Sequence, residues 1–246
     1  MKLHTKIISL LLVAGLASAG AQSAGSSASN FYLKGSVGSA GLESDGSLTK
    51  LFTGVAGASG LDLKMDSREL AFSFEGGMYY GENISFGLEW TMLNSDAKSS
   101  KTLQSGDIAS LNTALGLSGG GALTAAAANF EEKIDMDRFM FVFNYEYYFS
   151  DQLSLLVNTG LGIINVEQEI KVTQGTSQRI NSKSDESAFA YQLGLSLGYH
   201  FNESLSFYGG GRYLAASDVD FQHGALKLKG FNPDALVYEV GVRYSF

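Results

Sequence analysis

Large apolar side chains recur at every second position through most of the chain from Phe31 to Phe246, with small or polar residues between them. A strand turns successive side chains to opposite faces, so this period builds sheets with one apolar face. The alternation resolves into eight segments: about Phe31 to Gly41, Glu69 to Tyr80, Ile84 to Leu93, Phe139 to Phe149, Leu153 to Val166, Ser187 to Phe201, Leu205 to Ala215 and Leu236 to Phe246. The fourth is the most regular, with Phe139, Phe141, Phe143, Tyr145, Tyr147 and Phe149 on one face and Arg138, Asn144 and Glu146 on the other.

The connections alternate as well. After segments two, four and six they are the turn-forming triplets Gly81-Glu82-Asn83, Ser150-Asp151-Gln152 and Asn202-Glu203-Ser204. After segments one, three, five and seven they run to about 27, 43, 20 and 17 residues, long for ordinary connections. An even number of strands, short turns on one rim and long loops on the other is the layout of a transmembrane β-barrel. Closure follows, because an open edge would leave backbone groups unpaired in lipid. The expected fold is all-β: an eight-stranded antiparallel up-and-down transmembrane β-barrel with four long extracellular loops and three short periplasmic turns.

A soluble sheet also alternates, and the identity of the polar face decides between the two. A water-facing sheet carries many Lys, Glu and Thr, whereas here that face is mostly Gly, Ala and Ser, which suit a narrow lumen where side chains converge. The 30 glycines and single proline fit that demand, while 16 Phe and 12 Tyr supply a lipid-facing surface with aromatic ends.

The first six residues include Lys2 and Lys6, an apolar run follows from Ile7 to Leu16, and Ala17-Ser18-Ala19 and Ala19-Gly20-Ala21 offer cleavage sites. Residues 1–21 therefore read as a secretory signal peptide, 22–30 as a short linker and 31–246 as the barrel. Cleavage removes two lysines and moves the formal net charge from −8 to −10. So acidic a chain lacks the basic surface that neutralises phosphates, which excludes nucleic acid as a partner. The absence of cysteine excludes disulfides and thiol chemistry.

The final stretch, Tyr238-Glu239-Val240-Gly241-Val242-Arg243-Tyr244-Ser245-Phe246, resembles the last strand of the small outer-membrane β-barrel domain family, which includes opacity-protein, attachment-protein and OmpA-type barrels. The resemblance covers the whole chain after the expected signal peptide as an architecture and this strand alone as a motif. It implies a Gram-negative outer membrane, contact with outer-membrane lipid and lipopolysaccharide, and recognition of Tyr238, Val240, Val242, Tyr244 and Phe246 by the barrel assembly machinery. It implies little about activity, since the family includes adhesins, anchors, small channels and lipid-modifying enzymes.

Parity places Lys34, Arg138, Arg212 and Arg243 inside the barrel with Glu75, Glu89, Glu146 and Glu239. Unpaired charge in a narrow lumen is costly, so these eight are expected to neutralise one another and plug it. Specificity then falls to the loops, and the expected role is structural or adhesin-like, with an extracellular ligand taken by the loops. A narrow porin-like channel for small or hydrophobic solutes is the second reading, resting on apolar loop residues Leu51, Phe52, Leu111 and Leu115 as an entrance. An enzyme acting on lipid or peptide would need a histidine beside a serine or an acid. Only His200, read as a satisfied lumen side chain, and His223, in the fourth loop, survive signal cleavage. No catalytic residue, cofactor or metal site is expected. Within the loops, Ala125-Ala126-Ala127-Ala128 is expected to form a turn or two of helix, and Glu167 to Glu186 to prolong strands five and six as a hairpin.

Overall fold

The computed structural model describes residues 30–42, 69–223 and 226–246. The expected signal peptide and linker up to residue 29, and Leu51 and Phe52 of the first loop, lie outside the described residues. Along the chain come β1 (Phe31–Leu42), β2 (Glu69–Tyr80), β3 (Ile84–Thr102), α1 (Ser105–Ala114), β4 (Ala127–Tyr148), β5 (Leu153–Gln174), β6 (Ser177–His200), β7 (Leu205–Ala216), β8 (Val219–His223), β9 (Leu226–Phe231) and β10 (Ala235–Ser245). Every ladder is antiparallel. Hydrogen bonding joins the long strands into a ring ordered β1-β10-β7-β6-β5-β4-β3-β2, and β8 and β9 pair apart from it. The antiparallel, sheet-rich domain expected from the alternation is the one observed.

Local chemistry explains the short turns. In the β4–β5 turn the Ser150 hydroxyl accepts from the backbone N–H groups of Gln152 and Leu153, and in the β6–β7 turn Asn202 Oδ1 accepts from Ser204 and Leu205. Gly81 begins the β2–β3 turn at φ 78°, a left-handed conformation that favours glycine.

The strands are unequal in length. β3, β4, β5 and β6 have 19, 22, 22 and 24 residues, whereas β1, β2 and β7 have 12 and β10 has 11. One side of the sheet thus rises as a tall four-stranded wall. The third segment was expected to end near Leu93 and the fourth to begin near Arg138, yet Leu93 pairs with Met136 and the ladder continues to Thr102 opposite Ala127. The hairpin expected around Gln174-Gly175-Thr176 is present, with Val166 opposite Glu186 and Gln174 opposite Ser177.

The extra length is accompanied by an inversion of polarity along β4 and β5. In the lower part of β4 the outward residues are Tyr145, Phe143, Phe141 and Phe139, and the inward ones include Glu146 and Asn144. Above Arg138 the outward positions become Asp137, Asp135, Lys133 and Glu131, while Met136, Ile134 and Phe130 turn inward and are buried. β5 does the same, from outward Leu161 and Ile163 to Asn165, Glu167, Glu169 and Lys171, over inward Val166, Ile170 and Val172. Trp90 stands at the changeover and donates its indole N–H to Asp137 Oδ1 at 3.3 Å. Alternation in search of one apolar outer face breaks off at this level, although the strands do not.

The upper apolar interior is closed by the connections. α1 contributes buried Leu111, Leu115 follows it, and Leu103 and Leu123 flank the segment. Asn112 ties the two ends together, donating to the Leu123 carbonyl at 3.3 Å and accepting from the Leu123 N–H at 2.8 Å. Val219 and Phe221 of β8 and Phe231 of β9 fill the other side, with the two phenylalanine rings 5.8 Å apart. Two expectations are corrected here. Ala127 and Ala128 open β4 instead of forming a helix, since they lie in register with Thr102 and Lys101, and the helix forms earlier, at Ser105–Ala114. Leu111 and Leu115 do not line an entrance, because both are packed into this core.

Candidate functional site

Below the inversion, inward side chains meet in three clusters that span the lumen. Lys34 on β1 pairs with Glu75 on β2 at 3.0 Å, and Glu75 also accepts from the Tyr32 hydroxyl at 2.5 Å and from Asn144 Nδ2, on β4, at 2.7 Å. The ammonium of Lys34 sits 4.7 Å from the centroid of the Tyr208 ring. In the second cluster Arg212, on β7, pairs with Glu89 on β3 and, at 2.9 Å, with Glu239 on β10. It also donates to Ser73 Oγ at 2.5 Å, while Ser36 donates to Glu239 at 2.8 Å. In the third, Arg243 on β10 pairs with Glu146 on β4 at 2.9 Å, and Ser154 donates to the same carboxylate at 2.6 Å.

The strand order gives these contacts their meaning. β7 and β3 lie four places apart in the ring, as do β10 and β4, so Arg212–Glu89 and Arg243–Glu146 each join opposite walls. Neutral amides fill the space beside them. Asn158 donates to Asn144 at 2.6 Å, and Gln192 donates to Asn158 at 2.8 Å. Close approach also shapes the backbone: a methyl group on Gly77 would run into the Tyr32 phenol and the Phe86 carbonyl, and one on Gly241 into the Tyr208 phenol. Glycine is needed there for space.

Seven of the eight charges expected inside the lumen therefore meet an opposite charge, and Arg138 does not join them. It is fully buried at the level of the polarity change, where it donates to the backbone carbonyls of Ala215, at 3.4 Å, and Pro233. Asp234 next to it accepts from the Tyr213 hydroxyl at 2.6 Å and from the Ala216 N–H at 3.0 Å. Arg138 thus pins the β7–β10 connection, which carries the β8–β9 hairpin, and serves the upper core. Its parity is that of the lumen charges, but its height differs.

His200 is inward, as parity requires, with both ring nitrogens engaged: Nδ1 lies 2.9 Å from Ser206 Oγ and Nε2 lies 2.9 Å from Ser154 Oγ. The His223 side chain lies outside the described residues. No group of three or more His, Cys, Asp or Glu able to hold a metal ion occurs among the described residues. Asn144, Asn158, Gln192, Ser73 and Tyr32 share the inward parity but carry no charge, so the expected charge network did not include them.

On the outer surface of the tall wall the charges pair within and across strands. Lys98 contacts Asp96 at 2.7 Å and Glu131 at 3.4 Å, and Lys183 contacts Glu167 at 3.3 Å and Glu169 at 3.4 Å. The hydrogen bond from Lys98 to Asp96, then the charges of Asp96 and Glu131, hold its ammonium above the usual lysine range. Partial burial pushes the Glu169 carboxyl up, but Lys171 and Lys183 outweigh it and hold it below the usual range.

A family model described as outer membrane protein beta-barrel domain matches residues 9–246. No curated protein matches the chain. Among solved structures, Neisserial surface protein A is 13% identical over 90% of this chain and 100% of its own, with a TM-score of 0.43. The outer membrane protein OprG from Pseudomonas aeruginosa is 15% identical over 90% and 98%, with a TM-score of 0.43. A major outer membrane protein from Thermus thermophilus is 9% identical over 88% and 99%, with a TM-score of 0.48.

Proposed function

The chain belongs to the outer membrane protein beta-barrel domain family, and on that footing we propose that it is an integral outer-membrane barrel with a structural or surface-interaction role and a closed lumen. Its location is the outer membrane. In this reading the eight long strands span the bilayer, the three short turns face the periplasm, and the tall wall with α1 and the β8–β9 hairpin stands outside the cell. Residues 1–21 direct export, and the assembly machinery recognises the last strand through Tyr238, Val240, Val242, Tyr244 and Phe246. Outer-membrane lipid and lipopolysaccharide surround the barrel, and an extracellular ligand meets the wall and loops.

The observation that carries the closed lumen is the pair of guanidinium–carboxylate struts joining opposite walls, Arg212–Glu89 and Arg243–Glu146. A solute would have to displace both, leaving buried charges without partners. The upper apolar core is a second obstruction in series. The purified protein in planar bilayers is therefore expected to give little or no stable conductance. Large, reproducible channels would overturn the closed lumen.

A further inference from the structure

The short-turn mouth of the lumen holds an arrangement that neither the struts nor the loops require. His200, the last residue of β6, lies between Ser206 of β7, Ser154 of β5 and Glu146 of β4. We propose that Ser206 is an activated nucleophile, with His200 as its base and Glu146 as the group that orients the base. It would accept an acyl or phosphonyl group from a small, water-borne activated ester.

Proton accounting leads to this assignment. The Glu146 carboxylate only accepts, and it receives the Ser154 hydroxyl proton at 2.6 Å. With that proton committed, Ser154 Oγ can only accept from His200 Nε2, 2.9 Å away, and Glu146 Oε1, 3.2 Å from the same nitrogen, can do nothing else either. Nε2 therefore carries hydrogen. In the neutral imidazole Nδ1 is then bare, and Ser206 Oγ, 2.9 Å from it, must be the donor. A hydroxyl bonded to an imidazole nitrogen, whose other nitrogen is held by Ser154 Oγ with the Glu146 carboxylate beside it, has the order nucleophile, base and orienter of acyl-transfer sites. Ser154 occupies the reverse position, with its proton directed at Glu146 and its oxygen at an N–H.

A donor for the developing oxyanion stands beside Ser206. Arg243 is its register partner on β10, and side chains so paired on one face of a sheet are neighbours. Two of its contacts hold Glu146, while its Nε is a buried donor without an acceptor. Ser206 itself is 5% exposed, so a small donor would reach it past the His200 side chain, 12% exposed, and Tyr148, 38% exposed, whose ring lies 5.2 Å from the imidazole. Leu205 and Phe207 on either side of Ser206 face outward, so acyl chains of the bilayer lie across the sheet from the hydroxyl. This is why the donor must come from water. In the step, Ser206 Oγ attacks the carbonyl carbon and the bond to the leaving alkoxide breaks. The serine proton passes through His200 Nδ1 to that alkoxide, giving an alcohol and acyl-Ser206.

The test is labelling of the folded protein in detergent micelles with a fluorophosphonate, which forms the phosphorus–Oγ bond, releases fluoride and leaves the serine proton on His200 and then on water. One adduct is expected, on Ser206 by peptide mass spectrometry. It should be abolished by Ser206→Ala and slowed about 100-fold or more in His200→Gln. Heat-modifiable gel mobility verifies that each variant is folded. An unlabelled wild type, an adduct on Ser154, or labelling that survives Ser206→Ala would overturn the proposal. Wild type and Ser206→Ala decide it even if His200→Gln fails to fold.

Discussion

Arg212 reaches from β7 to Glu89, Glu239 and Ser73, which makes it the guanidinium that ties three other strands together inside the lumen. Arg212→Ala leaves two buried carboxylates without a countercharge, and breaking a buried pair this way costs about 3–5 kcal/mol. The temperature at which the folded band converts to the unfolded band on a gel should fall accordingly. Arg212→Lys should recover only part of the loss, because a single ammonium cannot reproduce the guanidinium fork that serves three partners on three strands. Melting of Arg212→Ala at the wild-type temperature would mean that the strut stabilises nothing. The network was partly legible in the sequence, since period-2 parity assigns inward and outward faces one residue at a time. Parity does not give height. Arg138 shares the parity of Arg212 but lies at the polarity change, and only the strand register places it beside the carbonyls of Ala215 and Pro233.

At the level of elements, the lower strands were legible and the upper halves of β3 to β6 were not. The lower outward face is apolar and the upper outward face charged, so a search for one continuous apolar face ends near Leu93 and begins again near Arg138. The pattern does continue above Arg138, with the faces exchanged: Met136, Ile134 and Phe130 lie on the inward side of β4. α1 was hidden for another reason. Its sequence, Ser105 to Ala114, has one fully buried apolar residue, Leu111, and no helical stripe around it. It is held by tertiary contacts, through Asn112 and the leucines beside it, more than by its own periodicity. Leu111→Ala should therefore cost about 2–5 kcal/mol within the upper core. The expected signature is spatially confined: protease cuts the segment around residues 103–126 in the variant, while the strands below stay resistant and the folded gel band persists. Loss of the folded band would show that the cap and the lower barrel form one cooperative unit.

For the whole molecule, the exchange of faces defines where hydrocarbon ends. Lipid requires an apolar outer surface and permits a polar, paired interior, while water requires the reverse, so one strand that crosses from one solvent to the other must exchange its faces. β6 records both regimes on its outward side. Phe189, Tyr191, Leu193, Leu195, Leu197, Tyr199 and Phe201 are exposed and apolar, whereas Asp185, Lys183 and Asn181 above them are exposed and polar. Leu195 is the middle residue of the apolar run, so in the membrane it lies near the bilayer midplane. Arginine on the lipid face costs about 2–4 kcal/mol at the midplane and about 0–1 kcal/mol near an interface. Leu195→Arg should therefore destabilise the folded protein in lipid vesicles by about 2–4 kcal/mol, and Asp185→Arg, five turns of the alternation higher on the same face, by less than about 1 kcal/mol. The two substitutions share strand, face and introduced charge, so their difference measures depth alone. Equal costs at Leu195 and Asp185 would place the boundary elsewhere. Since Trp90 stands at the changeover on the other side of the sheet, the same boundary would then have to be wrong for β3 as well, and quenching of Trp90 fluorescence by lipids brominated at known depths reports that independently.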